Sequence, residues 1–260
     1  MRLTHIGGPT LLIEIGGWRL LTDPTFDPPG REYRFGWGTG SSKLTGPAMA
    51  VGGLPPIDAV LLTHDHHADN LDDAGREMLA GAGTVITTVP AARRLGAGAV
   101  GLAAWQSTTL EADGRPRIGV TATPCRHGPP LSRPIAGEVI GFALEWEGQR
   151  HGVVWISGDT VLFRGVKSVA DRFDVGTAIL HLGAVGFGIT GPVRYSMTAR
   201  EAVELCRLMT PQTVIPVHYE GWSHFHQGRA DVDRELASAP RAVGDSVTWL
   251  PLGESTTVEV

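Results

Sequence analysis

Cysteine is nearly absent from this 260-residue chain. Cys125 and Cys206 are too few for a disulfide framework, which fits a reducing compartment and reads both as small buried filler. No uninterrupted apolar stretch approaches the roughly 20 residues a membrane-spanning helix needs. The opening MRLTHIGGPTLLIEIGG has neither an apolar signal core nor a small-residue cleavage site, so the expectation is a cytoplasmic protein without membrane contact. Basic residues are in short supply as well. The 22 Lys and Arg face 27 Asp and Glu, for a net charge of −5. Nucleic-acid surfaces take most of their affinity from clustered Lys and Arg, so no polynucleotide partner is expected. Repeats, low-complexity tracts and any linker between two cores are also missing, and residues 1–260 read as one α/β domain.

What is present is mostly strand-like. TLLIEIGGWRLLTD reads as a hairpin turning at Gly16-Gly17, because paired glycines supply the positive φ of a tight turn. Further β-type runs cover 59–63, 84–89, 118–123, 139–148, 152–157, 177–182, 213–217 and 246–250. The clearest helix is 199–209, opened by a Thr198–Glu201 capping box and carrying Ala202, Val203, Cys206 and Met209 on one face. Shorter helices are expected near 71–80, 91–95, 166–172 and 229–237. Residues 24–56 are rich in Gly and Pro, show no period and carry Phe26, Tyr33, Phe35 and Trp37. Such a segment is either a lid or binding loop, or an excursion pinned by its aromatics.

The polar residues fall in a pattern. His64 and His66 follow the run AVLLT, His127 follows VTATPCR, Asp159 follows VVWISG and His218 follows TVIPV. In α/β sheets, ligand sites gather at the carboxyl ends of strands, where loops converge. His and Asp there suit Zn²⁺, which imidazole nitrogen and carboxylate oxygen bind at about 2.0–2.2 Å. On an extended segment His64 and His66, two apart, point the same way and reach one ion.

These residues resemble the metallo-β-lactamase superfamily over nearly the whole chain. LTDP (21–24), THDHHADNLD (63–72), TPCRHGP, SGDT and PVHYEGW are similar, in order, to that superfamily's successive motifs. Within it the chain most resembles the L-ascorbate-6-phosphate lactonase-like branch. The resemblance implies a single-domain αββα sandwich with its metal site at one edge. It also implies a first metal on His64, His66 and His127, and a second that Asp159 bridges to and His218 ligates, with Asp23 accepting hydrogen bonds behind the ligands. The signature H-x-H-x-D-H is broken, since Ala68-Asp69-Asn70 stands where Asp and then His are required. Read with or without a one-residue insertion, Asp69 becomes a second-site ligand and one imidazole is lost. His67 is an alternative donor, which its adjacent position turns away. A second site with more carboxylate favours harder ions such as Mn²⁺ or Fe²⁺ over Zn²⁺, and it is otherwise weak or empty.

The expected activity is that of a metal-dependent hydrolase acting on a small-molecule ester, lactone or phosphoester, with a metal-bound hydroxide as the attacking group and Asp159 orienting it or accepting its proton. His224, in GWSHFHQG, reads equally as a catalytic donor to substrate and as a hydrogen-bonded loop residue. His5, His151 and His181 read as structural. Arg126, Arg133 and Arg194 are candidates for holding an anionic substrate, or solvated surface. The loops 24–56, 183–195 and 219–229 decide the pocket. Two other readings stand beside the hydrolase: a di-iron redox protein of the same fold, and a degenerate metal-bound scaffold that binds a ligand without turning it over.

Overall fold

The computed structural model describes residues 1–260 apart from Trp37 and Leu131, and apart from the side chains of Pro134 and Ile135. Strand β1 (Arg2–Gly7) leads into β2 (Thr10–Ile15). Gly16 and Gly17, at φ 51° and 90°, then turn the chain into β3 (Trp18–Thr22). Both glycines hold left-handed values that a side chain would oppose, so the expected hairpin forms where the sequence puts it.

A small antiparallel hairpin follows, β4 (Glu32–Gly36) and β5 (Thr39–Ser42). The chain then returns to the first sheet through β6 (Ala59–Leu61), helix α1 (Asp73–Met78), β7 (Thr84–Thr88), helix α2 (Val89–Leu95) and β8 (Ala99–Leu102). The second sheet takes β9 (Ser107–Leu110), β10 (Ile118–Pro124), β11 (Ile140–Trp146), β12 (Val153–Ile156), β13 (Val175–His181) and β14 (Thr213–Val217). Helices α3 (Arg133–Ala136), α4 (Arg164–Lys167) and α5 (Ala199–Met209) lie between these strands. After β14 come α6 (Arg229–Leu236), α7 (Arg241–Ser246) and β15 (Ser255–Thr257), the last pairing with β1. The spatial orders are β15-β1-β2-β3-β6-β7-β8 and β14-β13-β12-β11-β10-β9.

Period-two alternation explains why the two sheets stack. Leu11, Ile13 and Ile15 on β2 face the layer between the sheets, whereas Leu12 faces the opposite side with Val60, Leu62 and Leu71. On β12, Val154 and Ile156 enter the shared core, while Val153 and Trp155 pack outward against Leu205, Cys206 and Met209 of α5. Each sheet is therefore apolar on both faces and needs a second cover, which helices supply. Helix α5 is capped as expected, with Thr198 and Glu201 satisfying each other's backbone donors. Cys206 is buried there and Cys125 is half-buried, its thiol donating to the Ser157 carbonyl at 3.0 Å. Among the described residues, no helix is long and apolar enough to cross a membrane.

One expectation about elements fails. Residues 246–250 make no strand, because the start of the run is taken by α7 and the rest forms one bridge, Val214 to Val247. The periodless segment 24–56 contains the β4–β5 hairpin, and Trp37 of that segment lies outside the described residues.

Candidate metal centre

Strands β3, β6 and β7 are parallel, as are β12, β13 and β14, and β10 runs with β12 because each is antiparallel to β11. The carboxyl ends of these strands deliver Asp23, His64, His127, Asp159, His181 and His218 to one rim, where all six are buried. The two sheets are joined there by the Ile140 amide, which donates to the Thr63 carbonyl at 3.2 Å. Gly158, just before Asp159, holds φ 63°, and a Cβ on it would sit 2.7 Å from the Ile140 carbonyl oxygen. The glycine of SGDT is therefore what lets β12 turn Asp159 beneath that junction.

Two clusters form. In the first, His67 Nδ1 lies 3.3 Å from His64 Nε2 and 3.1 Å from His127 Nε2. The second joins Asp69, Asp159 and His218, with His218 Nε2 at 3.3 Å from Asp69 Oδ2 and 3.5 Å from Asp159 Oδ2. His66 belongs to neither, which corrects the expectation that it pairs with His64. The chain leaves extended geometry after Leu61, and the Asn70 and Leu71 amides fold back to donate to the His67 carbonyl. In that turn the residue three along, not two, shares the side of His64. Arg94 grips Asp65 through two contacts of 2.9 and 2.5 Å, and His66 is left exposed beside it. The extra residue of the broken signature thus lies between His64 and His67. Asp69 then follows in the signature's acid place, and Asn70 in the place of its histidine.

The first cluster suits a cation. One proton on His67 Nδ1 can satisfy only one of the two facing nitrogens, whereas an ion satisfies all three. Ligands about 2.05 Å from a tetrahedral zinc stand roughly 3.3 Å apart, close to the spacings seen. The outer nitrogens are already engaged: His127 Nδ1 with the Tyr195 carbonyl oxygen at 2.7 Å, and His64 Nδ1 with Thr63 Oγ1 at 3.1 Å. Such bonds fix the tautomer that leaves the inner lone pair bare. Burial, reinforced by repulsion from His127 and His67, holds His64 well below the usual imidazole range. Burial likewise takes His67 to about 4 and His127 to about 3. All three are therefore neutral at pH 7, the form that binds metal.

The second cluster also suits a cation. Both carboxylate oxygens of Asp159, Asp69 Oδ1 and His218 Nε2 are buried without a hydrogen-bond partner. Buried polar atoms are seldom left so, and a bound cation is one of the few groups that would offset the cost. Burial raises Asp159 to about 6. For His218, burial alone would lower the value, but Asp159 and Asp69 outweigh it and hold the imidazole at about 9. His218 also has φ 56°, a left-handed conformation rare for a residue with a side chain and typical of functional positions.

Around the clusters, Asp23 accepts from the Thr63 amide at 2.7 Å, the Thr63 hydroxyl at 3.0 Å and Asn70 Nδ2 at 3.3 Å, and it contacts His181 Nε2 at 3.2 Å. Asp23 thus sits behind the clusters, bracing the loop that carries His64. His224 has both nitrogens engaged, Nδ1 with Ser41 Oγ and Nε2 with Asp69 Oδ2 at 2.9 Å, so it positions Asp69 and is not free to donate to a substrate. His5 is buried against the Gly8 carbonyl, and His151 is exposed and away from the clusters. Arg126 stacks on Phe163, Arg133 pairs with Glu138 and Arg194 reaches the Val193 carbonyl.

The sequence reading also passed over Lys43 and Asp72, a buried pair 2.8 Å apart beside the centre. The only hint was that Asp72 belongs to the acid-rich run after the histidines.

The two protonation patterns predict different metal affinities. His218 near 9 and Asp159 near 6 must shed protons before the second cluster can bind, so affinity there rises with pH until about 9. The first cluster has no proton to lose between pH 5.5 and 9. Titration with Zn²⁺ followed by elemental analysis should give one ion per chain at pH 5.5 and approach two at pH 9. A second equivalent bound as tightly at pH 5.5 as at pH 9 contradicts this.

A two-sheet sandwich flanked by helices, with paired His and Asp clusters where the strands end, defines a class of metal-centre hydrolase folds. The chain belongs to the metallo-β-lactamase superfamily: residues 18–219 match the family described as "Beta-lactamase superfamily domain". It is 29% identical over 260 residues, covering 98% of this chain and 97% of the other, to a UPF0173 metal-dependent hydrolase of Methanoregula boonei. Among solved structures it is similar to an isothiocyanate hydrolase from Delia radicum gut bacteria, with a TM-score of 0.79, 19% identity and full coverage of both chains. It is also similar to CmlA, a diiron β-hydroxylase from Streptomyces venezuelae, with a TM-score of 0.68 and 17% identity over all of this chain and 54% of that one. Both structural likenesses establish the fold.

Proposed function

We propose that this protein is a metal-dependent hydrolase of small-molecule esters or lactones, with His64, His67 and His127 holding one ion and Asp69, Asp159 and His218 a weaker second. The observation that carries this reading is the convergence of three neutral, buried imidazoles, two of which, His64 and His127, already have their outer nitrogens hydrogen-bonded. A bound ion would supply Lewis acidity and lower the pKa of water from 15.7 to about 7. Zn²⁺ fits the all-imidazole cluster, and Mn²⁺ or Fe²⁺ fits the carboxylate-rich one.

The chain's own residues do the rest. Hydrolysis forms a bond between water oxygen and the acyl carbon, breaks the acyl bond to the leaving group, and passes a proton to that group. Asp159, buried and with neither carboxylate oxygen hydrogen-bonded, is placed to orient the attacking water or accept its proton. His224 holds Asp69 in place, and Asp23 fixes the His64 loop.

The lactone class is supported by the resemblance to the ascorbate-6-phosphate lactonase-like branch. The Delia radicum gut-bacterial neighbour acts on isothiocyanates, which also present an electrophilic carbon, so one belongs in the substrate panel. A second reading, di-iron redox chemistry, is favoured by the two carboxylates of the second cluster. It predicts a visible absorption band and oxygen consumption in iron-loaded protein.

The test is a panel of lactones, esters, thioesters, phosphodiesters and an isothiocyanate, run on protein of measured metal content. Turnover should vanish on chelation, return with added metal, and fall on the order of 10³-fold in Asp159→Ala. Full activity in metal-free protein, or in that variant, defeats the reading. Bound metal with no turnover on any substrate points to the degenerate scaffold.

A further inference from the structure

Beside the first cluster lies a cavity of about 270 Å³ with His67 in its lining. Its walls are Phe35 from the β4–β5 hairpin, and Phe187, Ile189 and Tyr195 from the loop between β13 and α5. The rings pack on one another and on the centre. Phe35 lies 5.1 Å from the His67 ring and 6.0 Å from Phe187, while Phe187 stacks on His224 at 5.3 Å with planes 7° apart. Among the described residues, no Lys, Arg, Asp or Glu lines this cavity. Its two threonine hydroxyls are spent on backbone, Thr39 donating to the Gly36 carbonyl at 2.6 Å and Thr190 to the Phe187 carbonyl at 3.0 Å. The arginines adjacent in sequence to its lining are both exposed, Arg34 on the larger neighbouring cavity and Arg194 turned to its own backbone. A larger cavity of about 720 Å³ under the hairpin is more polar, but none of the two clusters' residues lines it.

We infer that the substrate is uncharged and carries one apolar group about the size of a single ring, seated between Phe35, Phe187, Ile189 and Tyr195 with its electrophilic carbon toward His67. This rests on the hydrolase reading and narrows it. An anionic substrate, such as a sugar phosphate lactone, needs a cation to offset the water it leaves, and among the described residues this wall offers none, its remaining donors being the neutral Tyr195 hydroxyl and His67 imidazole. Size agrees. An apolar cavity of about 150 Å³ accepts benzene, and ordinary ligand pockets begin near 300 Å³, so this one takes a ring and a few further atoms. The expectation that Arg126, Arg133 or Arg194 holds an anionic substrate finds no support in the pocket lining.

The test pairs methyl phenylacetate with methyl (4-sulfophenyl)acetate, which differ only in an anionic sulfonate remote from the ester. Metal-loaded protein should show kcat/KM at least about tenfold higher for the neutral ester, and Phe187→Ala should raise its KM about tenfold. Ile189 is 69% exposed at the mouth, so Ile189→Lys should fold normally and shift the preference toward the sulfonated ester. Sulfonated ester used as well as or better than neutral ester overturns the inference. If neither ester is hydrolysed, the hydrolase reading suffers separately, and binding decides the inference by calorimetry with the inert amides phenylacetamide and 4-sulfophenylacetamide. Binding of the neutral amide alone supports it, and any other result overturns it.

Discussion

His67→Ala should lose the first ion and on the order of 10³-fold or more in hydrolysis, several kcal/mol of transition-state stabilisation. His66→Ala should keep both within about threefold, as exposed positions do. The contrast follows from geometry. His67 is buried, with Nδ1 within 3.3 Å of both other imidazoles, while His66 is exposed beside Arg94 and Asp65. Elemental analysis and kcat/KM on the two purified variants check it. Equal losses, or a greater loss in His66→Ala, refute the arrangement.

That pair of histidines also marks how far the sequence could be read. Its motifs placed the chain in its superfamily, and the strand-end rule brought His64, His127, Asp159 and His218 to one rim. Both signals are robust because apolar strands must stop where polar loops begin, and the order of those stops survives changes in loop geometry. Which of two adjacent imidazoles turns inward is a different problem. It depends on whether residues 64–67 are extended or folded, and the fold there is held partly by Arg94 gripping Asp65 from 29 positions away. Nothing local in THDHHADN encodes that contact. The pocket was legible only as far as its loops: 24–56 and 183–195 were expected to shape it and do supply its walls, but which of their side chains turn inward was not. Phe35 reaches it on a hairpin whose strands are short and half exposed, the alternation of Glu32-Tyr33-Arg34-Phe35 being too brief to stand out in a Gly- and Pro-rich segment, and Phe187 and Ile189 come from a glycine-rich loop. Edge pairings between distant segments escaped as well, for β15 joins β1 only because the chain's ends meet.

Asp72→Ala should destabilise the fold by about 3–5 kcal/mol, the cost of stranding a buried charge. For a chain of this size that is roughly 10 °C in Tm. Asp72 is buried and accepts from four groups: the Phe26 amide at 2.8 Å, the Asp27 amide at 2.7 Å, the Gly75 amide at 2.8 Å and Lys43 Nζ at 2.8 Å. Alanine removes the cap of α1, orphans two more amides and leaves the Lys43 ammonium with no carboxylate. Replacing both partners, as Lys43→Met with Asp72→Asn, should cost less than Asp72→Ala alone, because the asparagine can still cap α1 and no unpaired charge is left behind. The damage should also reach the site. Lys43 follows the hairpin that carries Phe35 to the pocket and Ser41 to His224, while Asp72 ends the loop that carries His67 and Asp69. Their ion pair ties the pocket wall to the metal loop. In Asp72→Ala at a temperature where it stays folded, KM should therefore rise while the first ion remains bound. Thermal unfolding, metal content and the split between KM and kcat test this together. A variant with unchanged Tm and unchanged KM would mean the pair holds neither fold nor pocket.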